Sequence, residues 1–142
     1  MVTGAGRGIG RAISLAFASE GANLILTARS ETELQSVASE IKESGLTALV
    51  IPCDVSQPSQ VESLFNKTQQ HYGSLDILVN NAGIGYEGLV ENQDSERLED
   101  LVRLNCLAPV SLTGRLLPSM RNLDRGAIIF VGSVAGSQPL PN

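Results

Sequence analysis

The sequence has few of the residues on which metal, disulfide and catalytic-triad chemistry depends. Its 142 residues include no Trp, one His and two Cys, and only 4% of them are aromatic. His71 is the single histidine and lies on a polar helix end beside Tyr72, so the sequence predicts neither a Ser-His-Asp triad nor a zinc cluster, and no metal site is expected. Cys53 and Cys106 are isolated in apolar surroundings. We therefore expect both to be small buried side chains in a reducing compartment.

Positive charge and long apolar runs are also scarce. Lys and Arg number 10 against 15 acidic residues, which gives a net charge of −5. An acidic chain is a poor partner for nucleic acid or an anionic membrane, so neither is expected as a partner. No apolar run approaches the roughly 18 residues of a membrane span, and no basic-then-apolar leader precedes the first glycines. These absences favour a cytoplasmic location.

Glycine, by contrast, is concentrated at the start of the chain. Residues 1–10 read MVTGAGRGIG, and residues 11–17 continue with helical periodicity. This order is typical of a strand, a phosphate-binding turn and a helix N-terminus, where unpaired N–H groups and the helix dipole favour an anion. The alternative is a glycine-rich turn that binds no ligand.

The spacing of these glycines is more informative than their number. The dinucleotide-binding fingerprint G-x-G-x-x-G/A fails in every frame. The spacing that fits is T-G-x-x-x-G-x-G, formed by Thr3, Gly4, Gly8 and Gly10. This octad resembles the cofactor loop of the short-chain dehydrogenase/reductase family. The resemblance implies an oxidoreductase that transfers hydride between a nicotinamide cofactor and a carbonyl or alcohol, with the octad, Ile9 included, binding the cofactor.

The rest of the chain alternates apolar runs with amphipathic helical segments. Strands are predicted at the N-terminus and near residues 23–28, 47–53, 75–79 and 127–131. Ser30 and Glu33 fit a capping box at the start of the second helix. A long helix is predicted over residues 94–120, with a bend at Pro109. Nearly continuous apolar strands are typical of a parallel sheet that is buried on both faces.

Together these elements predict a single α/β domain over residues 1–142. We expect a Rossmann-like, doubly wound parallel sheet with about five strands and helices on both faces. In such a sheet, ligands bind beyond the carboxyl ends of the strands, near the point where the strand order reverses. The residues that follow the second to fifth strands are therefore candidates for the site: Arg29; Asp54 and Val55; Asn81, Ala82 and Gly83; and Ser133.

The charges among these candidates favour NADP(H) over NAD(H). Arg29 stands where an NAD-binding chain would carry an acid for the ribose hydroxyls, and a guanidinium there suits a 2′-phosphate. Arg7 in the glycine turn can reach the same phosphate. The alternative is that both are solvated surface arginines. If Ser56 caps the third helix, the carboxylate of Asp54 is free to accept a hydrogen bond from an adenine amino group.

The family resemblance implies roles for further residues. Asn81, Ala82 and Gly83 match the family stretch that lines the cofactor. Ser133 matches the serine that polarises the substrate carbonyl, and Asn105 matches the catalytic asparagine. Seen without the resemblance, Ser133 is an ordinary turn hydroxyl.

The tyrosine and lysine that the family places in a Y-x-x-x-K pattern are missing. The only tyrosines, Tyr72 and Tyr86, are followed four residues later by Asp76 and Val90. We therefore expect a fragment that lacks the C-terminal part of the fold and is inactive on its own. The resemblance implies that the intact form is a homo-oligomer acting on a small carbonyl or alcohol.

Two other functions fit parts of the sequence. A non-catalytic nucleotide-binding module would also lack the Y-x-x-x-K pair. An S-adenosylmethionine methyltransferase would carry a G-x-G-x-G loop, which Gly4, Gly6 and Gly8 match. However, Thr3 and Arg29 stand where acids would hold the ribose hydroxyls of that ligand.

Overall fold

Strands and helices alternate along the chain as their apolar spacing predicts. The computed structural model describes residues 1–86, 88–121 and 126–138, so the closing residues 139–142 lie outside the described part. The strands are β1 (Val2–Thr3), β2 (Leu24–Thr27), β3 (Ala48–Val50), β4 (Ile77–Asn80) and β5 (Ala127–Phe130). The α-helices are α1 (Gly8–Ser19), α2 (Glu31–Glu43), α3 (Pro58–Tyr72), α4 (Ser95–Val102) and α5 (Ala108–Arg121). None of the described helices is long and apolar enough to cross a membrane.

The five strands form one parallel sheet in the order β3-β2-β1-β4-β5. The central strand β1 pairs on both sides, with Val2 opposite Leu26 of β2 and opposite Val79 of β4. The strand order reverses between β1 and β4, which opens a crevice at the carboxyl ends of these two strands. The predicted Rossmann-like, doubly wound sheet is confirmed.

Neighbouring residues of each strand point to opposite faces of the sheet. Both faces carry apolar side chains, and helices pack on both. In β2, Leu24 and Leu26 belong to one apolar layer and Ile25 to the other. The first layer includes buried residues of α1 and α2, namely Ala18, Leu34, Val37 and Ile41. The second includes buried residues of α3 and α5, namely Val61, Leu64, Leu112 and Leu116.

The long helix predicted over residues 94–120 is interrupted. A π-helical segment (Arg103–Leu107) separates α4 from α5, and the N–H of Ala108 donates to the carbonyl of Arg103, five residues back. The interruption lies just before Pro109, which has no N–H for the carbonyl of Asn105 and whose ring crowds that carbonyl. A wider π-turn is a known response to such a break in the helical hydrogen bonds.

Side-chain hydrogen bonds join the ends of β1 and β4. The buried hydroxyl of Thr3 accepts from the N–H groups of Asn81 and Ala82, each at 2.9 Å, and donates to the carbonyl of Val79 at 3.3 Å. The side-chain amide of Asn81 donates in return to the carbonyls of Thr3 (2.9 Å) and Gly4 (3.3 Å). We call Thr3, Gly4, Asn81 and Ala82 the strand-end junction.

The first turn of α1 packs directly on the strand-end junction. A Cβ added to Gly10 would lie 2.2 Å from the carbonyl oxygen of Gly4 and 2.5 Å from Nδ2 of Asn81. At Gly8 the surrounding space is open, but the backbone has φ +53°, a conformation that residues other than glycine rarely adopt. The two glycines are therefore needed for different reasons, close approach at Gly10 and backbone conformation at Gly8.

The N-terminal amine is buried between β1 and β4. It donates to the carbonyl of Ile77 at 2.8 Å, in the position of a strand N–H group. Burial lowers the pKa of this amine from 8.0 to about 5, although the negative charge of Asp76 acts in the opposite direction.

The packing of α1 predicts unequal costs for two glycine substitutions. Gly10→Ala places a methyl group against backbone atoms that cannot rotate away, so the free energy of unfolding should fall by about 3 kcal/mol. Gly8→Ala strains only the local backbone and should cost about 1 kcal/mol. Urea unfolding of both variants at one pH measures the difference, and equal losses would show that α1 does not depend on this contact.

Candidate functional site

A cleft of about 680 Å³ opens at the carboxyl ends of the strands. The glycine turn between β1 and α1 forms one wall, and the residues that follow β2, β3 and β4 complete it. Its lining includes all the predicted cofactor residues except Thr3: Gly4, Arg7, Gly8, Ile9, Gly10, Arg29, Asp54, Val55, Asn81, Ala82 and Gly83. Residues from four separate segments of the chain thus meet at one crevice.

Thr3 belongs to the support of the cleft. Its side chain is 2% exposed, and its hydroxyl is fully engaged by Val79, Asn81 and Ala82. A hydroxyl has one proton and two lone pairs, so no capacity is left for a ligand. Thr3 therefore positions the residues that line the cleft.

The N-terminus of α1 suits an anion. Arg7 is the N-cap residue but makes no side-chain cap bond, and no acidic residue lies in the first turn. The first N–H groups of a helix have no partner within the helix, and they carry the positive end of its dipole. Gly8, Ile9 and Gly10 begin this helix and line the cleft. The geometry fits the phosphates of a dinucleotide.

Two positive side chains stand at the mouth of the cleft. Arg7 and Arg29 are both exposed and both line it. Among the described residues neither forms an ion pair, whereas Arg11 pairs with Glu40 and Arg115 with Glu62. In a chain of net charge −5, two unpaired guanidinium groups at one crevice form a local site for an anion.

The predicted N-cap at Ser56 is wrong, whereas the adenine contact of Asp54 stays a prediction. Oδ1 of Asp54 accepts from the N–H and the hydroxyl of Ser56, at 3.0 and 2.7 Å, so this oxygen is not free for an adenine amino group. The N-cap of α3 is Gln57, because Pro58 occupies the first position of the helix. Ser56 is left in a turn closed by the aspartate side chain. Asp54 and Val55 still line the cleft.

The two cysteines differ in their surroundings. Cys53 is buried, as predicted, and lines the cleft. Burial and, second, the charge of Asp54 raise the pKa of its thiol to about 11, so Cys53 is not a nucleophile at neutral pH. Cys106 is exposed, contrary to the prediction. It lies in the π-helical segment between α4 and α5, none of whose residues is buried.

Asn105 holds the loop that follows β4. Its Oδ1 accepts from the N–H of Ile84 at 2.9 Å, and its Nδ2 donates to the carbonyl of Ile84 at 2.7 Å. A Cβ on Gly83 would lie 3.2 Å from the same Oδ1. Gly83 and Ile84 line the cleft, so Asn105 supports its wall.

Ser133 follows β5 but does not line the cleft. It is exposed, and its Oγ accepts from the N–H of Ala135 at 3.2 Å at the start of a 3-10 turn (Val134–Gly136).

The two tyrosines, Tyr72 and Tyr86, do not line the cleft either. Burial raises the pKa of Tyr72, which is opposite to what proton transfer at neutral pH requires. Arg97 lies 5.0 Å over the ring of Tyr86.

Residues that the sequence did not assign to the site also line the cleft: Gly6, Thr27, Ala28, Ser30, Glu33, Cys53, Ile84 and Leu104. Glu33 is the one among them with a formal charge. The predicted capping box forms in one direction, since Ser30 Oγ accepts from the N–H of Glu33 at 3.3 Å. Among the described residues the carboxylate of Glu33 accepts no hydrogen bond, so the second bond of a capping box, from the N–H of Ser30, does not form. In the sequence, its place in the capping box and its position four residues after Arg29 put it near the end of β2.

The sequence and the fold both match one protein family. A model of the family described as short chain dehydrogenase matches residues 1–142. Ketoacyl reductase HetN of Nostoc sp. is 36% identical over 97% of this chain and 48% of its own length. The 3-oxoacyl-[acyl-carrier-protein] reductase FabG of Escherichia coli is 36% identical over 96% of this chain and 55% of its own length.

Solved structures agree with this match. L-sorbose reductase from Gluconobacter frateurii, complexed with NADPH and L-sorbose, superposes with a TM-score of 0.93 at 37% identity, covering 98% of this chain and 53% of that one. A metagenomic short-chain oxidoreductase in complex with NADP also gives a TM-score of 0.93, at 36% identity, covering 98% and 63%.

The chain spans about half the length of the curated relatives it matches. The match nevertheless covers the glycine turn, the strand-end junction and the cleft, since it runs over all 142 residues. The methyltransferase alternative finds no support in it. The chain belongs to the short-chain dehydrogenase/reductase family.

Proposed function

We propose that residues 1–142 form a single, incomplete NADP(H)-binding domain of an oxidoreductase. The observation that carries this proposal is the cleft itself. An uncapped helix N-terminus, a close-packed glycine turn and two unpaired guanidinium groups meet at the point where the strand order reverses. When bound, the cofactor supplies or accepts a hydride, and the residues of this chain hold it and orient it.

The reaction proposed is hydride transfer between NADPH and a small carbonyl or alcohol. The activities of the relatives support this class, since they include ketoacyl and 3-oxoacyl reductases and an L-sorbose reductase complexed with NADPH. By the family resemblance, Ser133 would polarise the substrate carbonyl. By the same resemblance Asn105 would take part in the reaction, and its side chain holds Ile84 through one accepted and one donated hydrogen bond.

A preference for NADP(H) over NAD(H) is proposed from charge. Arg7 and Arg29 are exposed, lack ion pairs in the described chain and line one cleft. A guanidinium binds a phosphate through charge-assisted, bidentate hydrogen bonds, and a ribose hydroxyl offers no charge in return. The 2′-phosphate therefore gains contacts that NAD(H) lacks.

We propose that the intact form is a homo-oligomer. The supporting observation is an apolar surface on the π-helical segment and α5, where Leu107 is 61% and Val110 is 69% exposed. Exposed apolar patches of this kind commonly mark protein interfaces. The cytoplasmic location stays a prediction.

A second candidate function is a nucleotide-binding module without catalysis. It is favoured by the absence of both tyrosines from the cleft lining and of a Y-x-x-x-K pattern from these 142 residues. Both candidates predict cofactor binding by this chain. They differ in whether the chain, extended to the length of its relatives, reduces a carbonyl.

The charge argument predicts the effect of reversing one arginine. The parent chain should bind NADPH roughly ten- to a hundredfold more tightly than NADH, and Arg29→Asp should remove most of that preference. Fluorescence titration of both cofactors measures the ratio. Arg121→Asp, which makes the same charge change outside the cleft, is the control and should leave the ratio unchanged. Equal binding of the two cofactors by the parent would refute the assignment.

The missing proton donor predicts binding without turnover. General acid catalysis needs a donor within hydrogen-bond reach of the substrate oxygen, and neither tyrosine lines the cleft. The 142-residue chain should therefore bind NADPH but should not oxidise it with a 3-oxoacyl thioester or L-sorbose. The Escherichia coli relative is the positive control in the same absorbance assay. Measurable turnover would mean that another group in this chain delivers the proton.

A further inference from the structure

The carboxylate of Glu33 lies in the cleft and has no partner among the residues that the structure describes. Glu33 is in the first turn of α2, is half-buried and lines the cleft. Its N–H donates to Ser30 Oγ, but its carboxylate has neither a hydrogen bond nor an ion pair within the described chain. The two guanidinium groups at the mouth of the cleft do not neutralise it by contact. Its charge therefore acts on whatever ligand enters.

The side chain of Glu33 rests against the glycine turn. A Cβ added to Gly6 would lie 2.8 Å from Cβ of Glu33 and 2.9 Å from its Oε2. The carboxylate thus occupies the space beside Gly6 that any larger residue would fill. Gly6 is followed by Arg7, and the end of β2 is followed by Arg29. Glu33 consequently stands on the wall that joins the two arginines.

We propose that Glu33 is a specificity-determining residue that opposes Arg7 and Arg29 and keeps the cleft open to NAD(H). This inference rests on the proposed function. A carboxylate repels the 2′-phosphate of NADP(H), and it accepts hydrogen bonds from the free ribose hydroxyls of NAD(H). Both effects shift the ratio of the two affinities toward NAD(H). The preference of the parent chain is the balance between one carboxylate and two guanidinium groups.

The substitution Glu33→Gln tests this balance. Glutamine keeps the shape that packs on Gly6 and removes the charge, so the preference for NADPH over NADH should increase about three- to tenfold. The increase should shrink at about 0.5 M salt, because salt screens the repulsion. Glu31→Gln is the matched control. Glu31 lies in the same helical turn and carries the same charge, but it is exposed and does not line the cleft.

A second pair of ligands isolates the ribose end of the cofactor. Adenosine 2′,5′-bisphosphate and adenosine 5′-monophosphate differ only in the 2′-phosphate, and neither needs a nicotinamide pocket. The same change of ratio is expected for this pair when Glu33 is replaced. Isothermal titration gives all the dissociation constants, and a ratio of two constants cancels any general loss of folded protein.

The outcomes separate this inference from the proposed function. If the parent binds the cofactors and Glu33→Gln leaves the ratio unchanged, Glu33 has only a packing role and the inference is overturned. An equal change with Glu31→Gln also overturns it, since the effect then comes from overall charge. If the parent binds neither cofactor at millimolar concentration, the proposed function fails first and the role of Glu33 fails with it.

Discussion

The buried hydroxyl of Thr3 is the contact on which the rest of the molecule depends. β1 is the central strand. The hydroxyl of its last residue accepts hydrogen bonds from the N–H groups of Asn81 and Ala82, which follow the end of β4. An unpaired buried N–H costs about 1–3 kcal/mol, so losing this hydroxyl would expose both donors to that cost. The amide of Asn81 returns two bonds to the carbonyls of Thr3 and Gly4. One junction thus holds the glycine turn and the wall of the cleft together.

The cleft inherits its chemistry from this junction. Because α1 packs on Gly4 and Asn81 through Gly10, its first N–H groups open into the crevice between β1 and β4. The chain as a whole is acidic, yet this crevice carries two guanidinium groups and a carboxylate that form no ion pair within the described part of the chain. Local charges of this kind act on a ligand more strongly than net charge does, since salt screens distant groups first.

Sequence reasoning failed at two places that lie within helical elements. Ser56 was expected to cap α3, but Pro58 occupies the first position of the helix and moves the cap to Gln57. Cys106 was expected to be buried, but the π-helical segment before Pro109 carries it on an exposed surface. The first is a shift of one residue at the start of a correctly predicted helix, and the second follows from an interruption inside the predicted long helix. Periodicity identifies elements better than it identifies their ends.

By itself the sequence determined the five strands, their parallel arrangement and the segments that meet at the cleft, because apolar runs and glycine spacing report on neighbours along the chain. Only the tertiary structure decided that the hydroxyl of Thr3 binds the residues lining the cleft and that the carboxylate of Glu33 lies beside Gly6. It also decided that Asp54 accepts a hydrogen bond from Ser56. The contacts of Thr3 and Glu33 join residues from different elements. Their distances follow from how β1, β4, α1 and α2 pack, and no local pattern encodes that packing.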